Sequence, residues 1–427
     1  MKFFKRSTEI FLLVFVFLLP WQTKLILRSA DNNFNEISLY ASQLVLLLAL
    51  ICFFIYKLGT KEPNKKSPLI WYFLGILEVC VLISFFFAPD QLLALYRYIV
   101  FLGGLGLFYL VREGINREAY EESCLNRTRI IYIFLTSVFF HSVLAIYQFL
   151  SQSSFACKYL GLASHDPQVF GSSVIETMSG RWLRAYGGLD HPNILGGVLV
   201  FALLLSAYLL ARKKIINSQL QIWNLVLLFF SYFFALVALF FTFSRTAWIA
   251  YFIGMIILAI ALMKREERWV SGRFFVLSFF SVMLLILSAV PYRELIFTRL
   301  EAQNRLEKIS ISERKESIIN SFSVIKKYPL FGVGVGNYVK YLEVNDKTLN
   351  PPPAQPVHNV FLLVFSENGI FAFSSLFLFI FFLAKSRRRE SFSLAVISTM
   401  FVFLMLDHWL FSLPFGILFF FLILGLI

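Results

Sequence analysis

Twelve apolar blocks, each close to the length that crosses a lipid bilayer, constrain this chain more than any other feature. About 20 helical residues span the ~30 Å of hydrocarbon. Lipid offers no hydrogen-bond partners, so such blocks must form helices that satisfy their own backbone groups. We therefore predict one polytopic all-α integral membrane domain, residues 1–427, with about 12 transmembrane helices. The blocks are 9–27, 37–57, 68–88, 91–111, 130–151, 192–211, 221–242, 246–263, 274–291, 357–384, 393–411 and 413–427.

The positive charges predict the orientation of these helices. Six short segments, alternating along the chain from the N-terminus, carry 22 of the 39 Lys and Arg residues. Short connections rich in Lys and Arg remain on the cytoplasmic side, which predicts an N-in, C-in topology. The net charge of +14 thus reflects topology, and nucleic acid is not an expected partner. No small-residue cleavage pattern follows the first block, so we expect a retained span rather than a signal peptide.

Two predicted outer connections, 152–191 and 292–356, are too long to be simple turns, and long ordered loops often carry function. The second is predicted to contain a helix that starts at a capping box, Ser310 with Glu313. Its helically spaced apolar positions are Ile318, Ile319, Phe322 and Ile325, and Tyr328-Pro329 ends it. Arg314 falls on the face that carries Ile318, so we expect it to point at whatever this helix covers.

Several kinds of site are not indicated. The cysteines form no CxxC pair, there is no pair of glycosidase-type carboxylates, and no Walker loop appears. Gly332-x-Gly334-x-Gly336 follows a predicted helix rather than a strand, so it predicts a sharp turn and not a dinucleotide site. The sequence requires no metal and no cofactor. The cysteines are Cys52, Cys80, Cys124 and Cys157.

The candidate functional residues are polar side chains at the outer ends of predicted helices. Arg245 follows Ser244 at a helix start, where the helix dipole disfavours a cation. It is either an interfacial arginine or an anion clamp, since a guanidinium suits phosphate oxygens. Arg184, His191 and Asn193 lie in a turn that leads into the next helix at Pro192, and His191 is more often structural than catalytic in such a place.

Two further candidates lie later in the chain. His358-Asn359 opens a predicted helix after the stretch that ends at Pro356, and an imidazole can accept a proton from a sugar hydroxyl near neutral pH. The alternative for His358 is an interfacial histidine. Asp407-His408 lies at the last outer turn, where it would hold an acceptor, orient another residue or cap the turn.

Glu78 and Arg97 lie inside predicted helices. Charges within a bilayer are costly and are usually paired. Both residues fall in the outer halves of their spans, so we predict a mutual ion pair in preference to a proton relay.

In their order along the chain, these landmarks resemble the O-antigen ligase-related superfamily, which includes O-antigen ligases, O-antigen polymerases and some protein O-oligosaccharyltransferases. The resemblance covers roughly residues 145–385. Two positions depart from the family pattern: Ala372 replaces a Gly, Thr or Tyr, and Ile318 replaces a larger residue. The matching pieces are Tyr147-Gln148, residues 184–196, residues 242–248, Arg314 with residues 329–337, and His358-Asn359 with Gly369-Ile370-Phe371-Ala372.

The resemblance implies a membrane glycosyltransferase of the GT-C-like class that uses a polyprenyl-diphosphate-linked glycan as donor. It implies that His358 activates an acceptor hydroxyl, on a glycan, a lipid or a protein. It further implies that Arg245 and Arg314 bind the diphosphate, whereas Arg184 matches a family arginine whose role is less defined. The expected place is the outer, periplasmic face of a bacterial inner membrane. Supporting or acceptor-binding roles then fall to Asn359, His191, Asn193, Asp407 and His408.

Two other classes of function remain open at this stage. A transporter with twelve helices would show broken helices, inverted repeats and charges near the midplane. A non-enzymatic polysaccharide-binding protein would leave the candidate residues scattered. Convergence of Arg184, Arg245, Arg314 and His358 in one outward-facing cavity is the observation that separates an enzyme from both.

Overall fold

The computed structural model describes residues 1–60, 68–115, 125–178, 180–212, 219–301, 305–345 and 355–427, and these residues are mostly helical. The Pro351 to Pro353 run lies outside the described residues. Within these ranges the helices are α1 (Lys2–Leu18), α2 (Ala41–Leu58), α3 (Leu69–Phe85), α4 (Gln91–Ile115), α5 (Arg127–Ser151), α6 (Pro192–Arg212), α7 (Gln219–Phe241), α8 (Arg245–Arg265), α9 (Arg268–Ala289), α10 (Arg293–Glu301), α11 (Arg305–Lys327), α12 (Tyr338–Asn345), α13 (Val360–Arg387), α14 (Ser391–Leu406), α15 (Trp409–Ser412) and α16 (Pro414–Leu426).

Eight helices in the described ranges are long and apolar enough to cross a membrane: α2, α4, α5, α6, α7, α8, α9 and α13. Three shorter apolar helices, α3, α14 and α16, occupy further predicted blocks, and α1 occupies the first. Every predicted block therefore contains a helix, and a mostly helical architecture with several apolar helices of membrane-spanning length is confirmed. The number of twelve crossings stays a prediction.

Two helices form the centre of the bundle. α6 is buried along almost its whole length and is contacted by α5, α7, α8, α9 and α14. Every residue of α16 is buried, and α16 packs mainly against α4. By contrast, few residues of α9 are buried, and its large apolar side chains are exposed. An apolar outer surface of this kind suits contact with lipid.

The first two predicted blocks are only partly helical. Residues 24–28 (β1, Lys24–Arg28) and 37–40 (β2, Ile37–Tyr40) pair as an antiparallel hairpin between α1 and α2. The predicted helix over these residues is wrong, because Pro20 fixes φ and lacks a backbone donor just after α1 ends. A second hairpin, β3 (Val174–Thr177) with β4 (Gly180–Leu183), lies in the long connection 152–191.

The connections that carry the candidate residues lie together at one end of the bundle, which we call the site end. α1, α3, α5, α7, α9 and α14 end there, and α2, α4, α6, α8, α13 and α16 begin there. The opposite ends of α2, α4, α6, α8 and α13 carry Lys57, Arg112, Arg212, Arg265 and Arg387. The site end is thus the end predicted to face outward.

The helix predicted in connection 292–356 exists but begins earlier than expected. α11 starts at Arg305, so Ser310 lies inside it and the predicted capping box is wrong; its end before Tyr328 is confirmed. The predicted inward face is also wrong, because Ile318 is 41% and Phe322 57% exposed. The buried positions of α11 are Glu307, Ser317, Ser321 and Val324; the last three follow helical spacing, and α11 packs against α13.

Candidate active site

The turn between α7 and α8 presents Arg245 as the first residue of α8. Phe243 adopts a left-handed conformation with φ of +46°, and Ser244 caps α8 by accepting a hydrogen bond from the backbone N–H of Ala247. Nε of Arg184 donates to the carbonyl of Thr242 at 2.8 Å, which holds the connection before α6 against this turn. Two of the predicted arginines are thereby brought to one place.

A buried carboxylate, Glu307, lies between two guanidinium groups. Nη2 of Arg245 is 3.0 Å from Oε2 of Glu307, and Arg299 contacts Oε1 of the same carboxylate. Arg299 also donates two hydrogen bonds to the carbonyl of Phe243, at 3.1 and 3.2 Å. Arg245 donates to the carbonyl of Arg299 at 3.1 Å. Neither Arg299 nor Glu307 was identified from the sequence.

Two more arginines complete what we call the arginine cluster: Arg184, Arg245, Arg299 and Arg314 around Glu307. Burial, and then the charge of Arg299, lowers the pKa of Arg184. Burial also lowers the pKa of Arg299, although Glu307 opposes the effect. Nε of Arg314 is buried and has no hydrogen-bond partner among the described residues. Arg245 and Arg299 contact the carboxylate of Glu307, and Arg184 and Arg314 lie near Arg299, so the cluster carries excess positive charge and favours the approach of an anion.

Arg184 connects this cluster to the histidines. Its Nη2 donates to Oδ1 of Asn193 at 2.7 Å. Nδ1 of His191 accepts the backbone N–H of Asn193 at 3.1 Å, and its Nε2 lies 2.9 Å from Oγ of Ser173. Since Nδ1 is an acceptor, the proton of the neutral ring is on Nε2, which donates to Ser173. Burial, and then Arg184, lowers the pKa of His191 to about 3. These contacts support the structural role for His191.

His358, Asp407 and His408 meet where α13 begins and α14 ends. The ring centroids of His358 and His408 are 4.8 Å apart. Nδ1 of His408 shares a 2.7 Å hydrogen bond with Oγ of Ser412, and burial followed by His358 lowers the pKa of His408 to about 3. Burial alone would raise the pKa of Asp407, but its contacts with His358 and His408 outweigh burial and lower it.

Asn359 has two structural contacts. Its side-chain oxygen caps α13 by accepting the backbone N–H of Leu362 at 3.0 Å, and its amide nitrogen donates to the carbonyl of Met405 at 3.1 Å. It therefore fixes the start of α13, and with it the backbone of His358, against the end of α14.

The fold also brings potential metal ligands together. The ligand atoms of His358, Asp407 and His408 lie within 4.8 Å of one another. His358 is distant in sequence from Asp407-His408, so no ligand spacing revealed the group. The expectation that no metal is needed stays a prediction.

A cavity of about 410 Å³ opens at the site end next to these groups. Five predicted residues line it, whereas Asn359 and the predicted arginines lie outside its wall. The arginine cluster adjoins it through the contact of Arg184 with Asn193. The predicted residues on the wall are His191, Asn193, His358, Asp407 and His408.

The glycine-rich segment after α11 is a sharp turn, as predicted. Gly332, Gly334 and Gly336 all have positive φ, between 68° and 101°. Oε2 of Glu367, in α13, accepts the backbone N–H of Gly336 at 2.9 Å. A Cβ at Gly336 would lie 2.2 Å from Cγ of Arg97. The turn thus packs directly against α4 and α13, close to the cavity.

The predicted ion pair between Glu78 and Arg97 is wrong. Glu78 accepts a hydrogen bond from the hydroxyl of Tyr98 at 2.6 Å, whereas Nη2 of Arg97 donates to the carbonyl of Phe34 at 2.7 Å. Successive helical residues point about 100° apart, so Tyr98 faces α3 while Arg97 faces the cavity.

Residues 228–377 match the family model described as O-antigen ligase. This segment is therefore similar to O-antigen ligases. No curated protein matches the chain. The matched segment contains Arg245, Arg299, Glu307 and Arg314, which are all of the cluster except Arg184, together with the candidate base His358. The resemblance identified from the sequence is confirmed over this segment.

The remaining site residues lie outside the matched segment on both sides. Arg184 and His191 precede it, and Asp407 and His408 follow it. The candidate site therefore combines the segment that is similar to O-antigen ligases with connections from the rest of the bundle.

Proposed function

We propose that this protein is a membrane glycosyltransferase that moves a glycan from a polyprenyl diphosphate to an acceptor hydroxyl. The observation that carries the proposal is the arginine cluster beside the His358–Asp407–His408 group, at one end of an apolar helix bundle. The segment that is similar to O-antigen ligases supplies most of the cluster. We place the reaction at the outer face of a bacterial inner membrane, because the opposite end of the bundle carries the predicted cytoplasmic basic residues.

The arginine cluster is proposed to hold the donor diphosphate. Charge grows on the diphosphate as the glycosidic bond breaks, so guanidinium groups stabilise the transition state more than the ground state. Nε of Arg314 is a buried donor without a hydrogen-bond partner among the described residues, and the single carboxylate of Glu307 leaves the four arginines with excess positive charge. Charge-assisted contacts from arginine to phosphate are strong and often bidentate.

His358 is proposed to act as the general base. The acceptor oxygen bonds to the anomeric carbon, the bond from that carbon to the phosphate oxygen breaks, and its electron pair leaves with the polyprenyl diphosphate. The acceptor's proton passes to Nε2 of His358. Asp407 lies on the Nδ1 side, where its carboxylate favours protonation of the ring as the reaction proceeds. Such a base contributes typically ~10²–10⁴-fold.

Three related reactions fit this chemistry, and they differ in the acceptor. It is a sugar on a lipid for a ligase, a second repeat unit for a polymerase, or a protein hydroxyl for an O-oligosaccharyltransferase. The shared chemistry is the same in each, since only the group that presents the hydroxyl differs.

A transporter of lipid-linked glycans is the alternative from another class. It would place charges on a path through the bundle. Glu78 instead contacts Tyr98 and is not among the residues that line the cavity, and the charged groups described above gather at the site end. These contacts favour an enzyme.

The test is transfer in vitro by the purified full-length protein, with a polyprenyl-diphosphate glycan and candidate acceptors. Release of polyprenyl diphosphate together with a new glycosidic bond is the expected result. Movement of the donor across a vesicle membrane without bond cleavage would support transport and contradict the proposal.

A further inference from the structure

Beyond the histidines, the cavity continues beneath the β1–β2 hairpin, where Arg97 forms part of its wall. Arg97 is only 3% exposed, and its Nη2 donates to the carbonyl of Phe34. Its Nε and Nη1 are buried and lack hydrogen-bond partners within the described part of the chain. Leaving buried donors unsatisfied is costly. These N–H groups are therefore suited to the oxygen atoms of a ligand.

Asp190 is a second unpartnered charge on the same wall. Protein surrounds it, and burial raises the pKa of its carboxyl, yet its side chain is exposed toward the cavity. Across the described ranges, no hydrogen bond or ion pair engages its carboxylate. A carboxylate that no donor among the described residues engages is a strong acceptor for hydroxyl groups.

Aromatic rings lie between these two charges. Burial and then Asp190 raise the pKa of the Tyr40 hydroxyl, and Arg97 opposes this rise. Both charged groups therefore lie close to that hydroxyl. Tyr96 is held in place because its hydroxyl donates to the carbonyl of Ser38 at 2.6 Å. Both rings line the cavity and offer flat apolar surface.

This region is continuous with the proposed catalytic group. The ring of Phe34 packs edge-on against His408, with centroids 5.4 Å apart, and Arg97 is bonded to the backbone of the same Phe34. A sugar held between Arg97 and Asp190 would therefore lie one side chain away from the histidines.

We propose that Arg97 and Asp190 form a sugar-binding subsite that holds the acceptor glycan; this rests on the function proposed above. A carboxylate accepts hydrogen bonds from neighbouring hydroxyls, a guanidinium donates to their oxygens, and tyrosine rings pack against the C–H faces of a sugar. A diphosphate belongs elsewhere, because Asp190 would repel it. The arginine cluster, on the far side of Asn193, takes the donor's charge.

Binding to full-length protein in detergent, measured by calorimetry, tests the subsite without requiring turnover. The probes are inorganic pyrophosphate and two delipidated glycans from the producing cell, its repeat oligosaccharide and its core oligosaccharide, used separately. We expect one glycan to bind at least tenfold more weakly to Asp190→Asn, Arg97→Lys and Arg97→Gln, with pyrophosphate binding unchanged. Arg245→Lys should weaken the binding of pyrophosphate and leave the binding of the glycan unchanged. Asp31→Asn, an exposed carboxylate near the same hairpin, is the matched control.

In the transfer assay, the same subsite variants should raise the acceptor KM and leave the donor KM unchanged. Unchanged glycan binding in Asp190→Asn, equal loss of pyrophosphate binding, or no binding of either glycan to the wild type would each overturn the subsite. If the Arg97 variants unfold, glycan binding by Asp190→Asn alone tests the subsite, because the Asp190 side chain has no partner among the described residues to lose. Selective loss of glycan binding in a protein without transferase activity would preserve the subsite and reject the proposed function.

Discussion

Nδ1 of His358 lies 3.8 Å from Oδ1 of Asp407, and this nitrogen has no hydrogen-bond partner among the described residues. The distance exceeds that of a hydrogen bond. Catalytic hydrogen bonds are often long without substrate and shorten in the reacting complex. A rotation of the imidazole that closes this gap would orient Nε2 toward the acceptor hydroxyl.

The first prediction concerns this pair. His358→Ala should lower kcat of transfer by at least ~10²-fold, because it removes the general base. Asp407→Asn should lower kcat less and shift the pH–rate profile toward lower pH, because a neutral amide stabilises the protonated imidazole less well and the ring stays deprotonated at a lower pH. Transfer assays from pH 5.5 to 8.5 measure both effects. Normal turnover of His358→Ala at equal protein level would exclude it as the base.

The second prediction concerns the arginine cluster. Lysine keeps the charge but loses the planar fork of donors, so Arg245→Lys and Arg314→Lys should each raise the donor KM about tenfold. Arg28→Lys is the control, because Arg28 makes a two-point contact with Asp90 at the same end of the bundle, outside the cluster. Equal effects in all three variants would point to stability rather than diphosphate binding.

The third prediction concerns Glu307. Glu307→Gln leaves Arg245 and Arg299 without their shared carboxylate, and breaking a buried pair costs about 3–5 kcal/mol. We expect a lower Tm in detergent, and a larger rise in Tm on adding pyrophosphate than the wild type shows, because the anion replaces the lost charge. A Tm that pyrophosphate raises equally in both proteins would mean that the anion binds away from the cluster.

The fourth prediction is a pH dependence of stability. The pKa values of His191 and His408 are lowered to about 3 in the fold from an ordinary 6.5. The unfolded chain therefore binds more protons between these values, so stability falls as the pH drops below about 6.5. Each histidine should cost about 2 kcal/mol at pH 5. Asp407 acts in the same direction only near and below its ordinary range, since its pKa is lowered.

Thermal unfolding at pH 7.5, 6 and 5 measures this dependence. His191→Gln should start with a lower Tm at pH 7.5, because it loses a hydrogen bond to Ser173 or Asn193, but should lose less on acidification. An identical pH slope in wild type and His191→Gln would show that His191 is not the titrating group.

The fifth prediction concerns metals. We expect transfer to persist after dialysis against EDTA, because the arginine cluster supplies the positive charge that a divalent cation would bring. His358, Asp407 and His408 lie close enough together to hold a metal ion, so activity after dialysis tests this expectation directly. Loss of activity that zinc or magnesium restores would contradict it.

Sequence patterns predicted most of the helices well, whereas the roles of the candidate residues stay predictions. Blocks of apolar residues and helix starts such as Pro192 and Ser244 depend on local physics. Arg299 and Glu307 could not be found in this way, because their pairing depends on how α10 and α11 fold back onto the α7–α8 turn. The length of the connection was the only signal.

The errors have a similar origin. Glu78 and Arg97 lie at a similar depth in the bundle, but an ion pair also requires that the two side chains face each other. Hydrophobic periodicity does not reveal these faces well, because it is weak in helices that are apolar all round. The β1–β2 hairpin was missed because a short apolar run reads equally well as helix or strand. The face of α11 was misassigned because exposed isoleucines can face lipid rather than the protein core.

The glycine turn has a consequence for how the chain can be divided. Gly334 and Gly336 pack against Ala88 and Arg97, both outside residues 228–377, so tightly that an added Cβ would overlap them. α6, also outside that segment, contacts α7, α8 and α9 within it. Residues 228–377 are thus not an autonomous folding unit. An excised fragment would lack the surface against which the glycine turn packs, and it would lack α6, the helix at its centre.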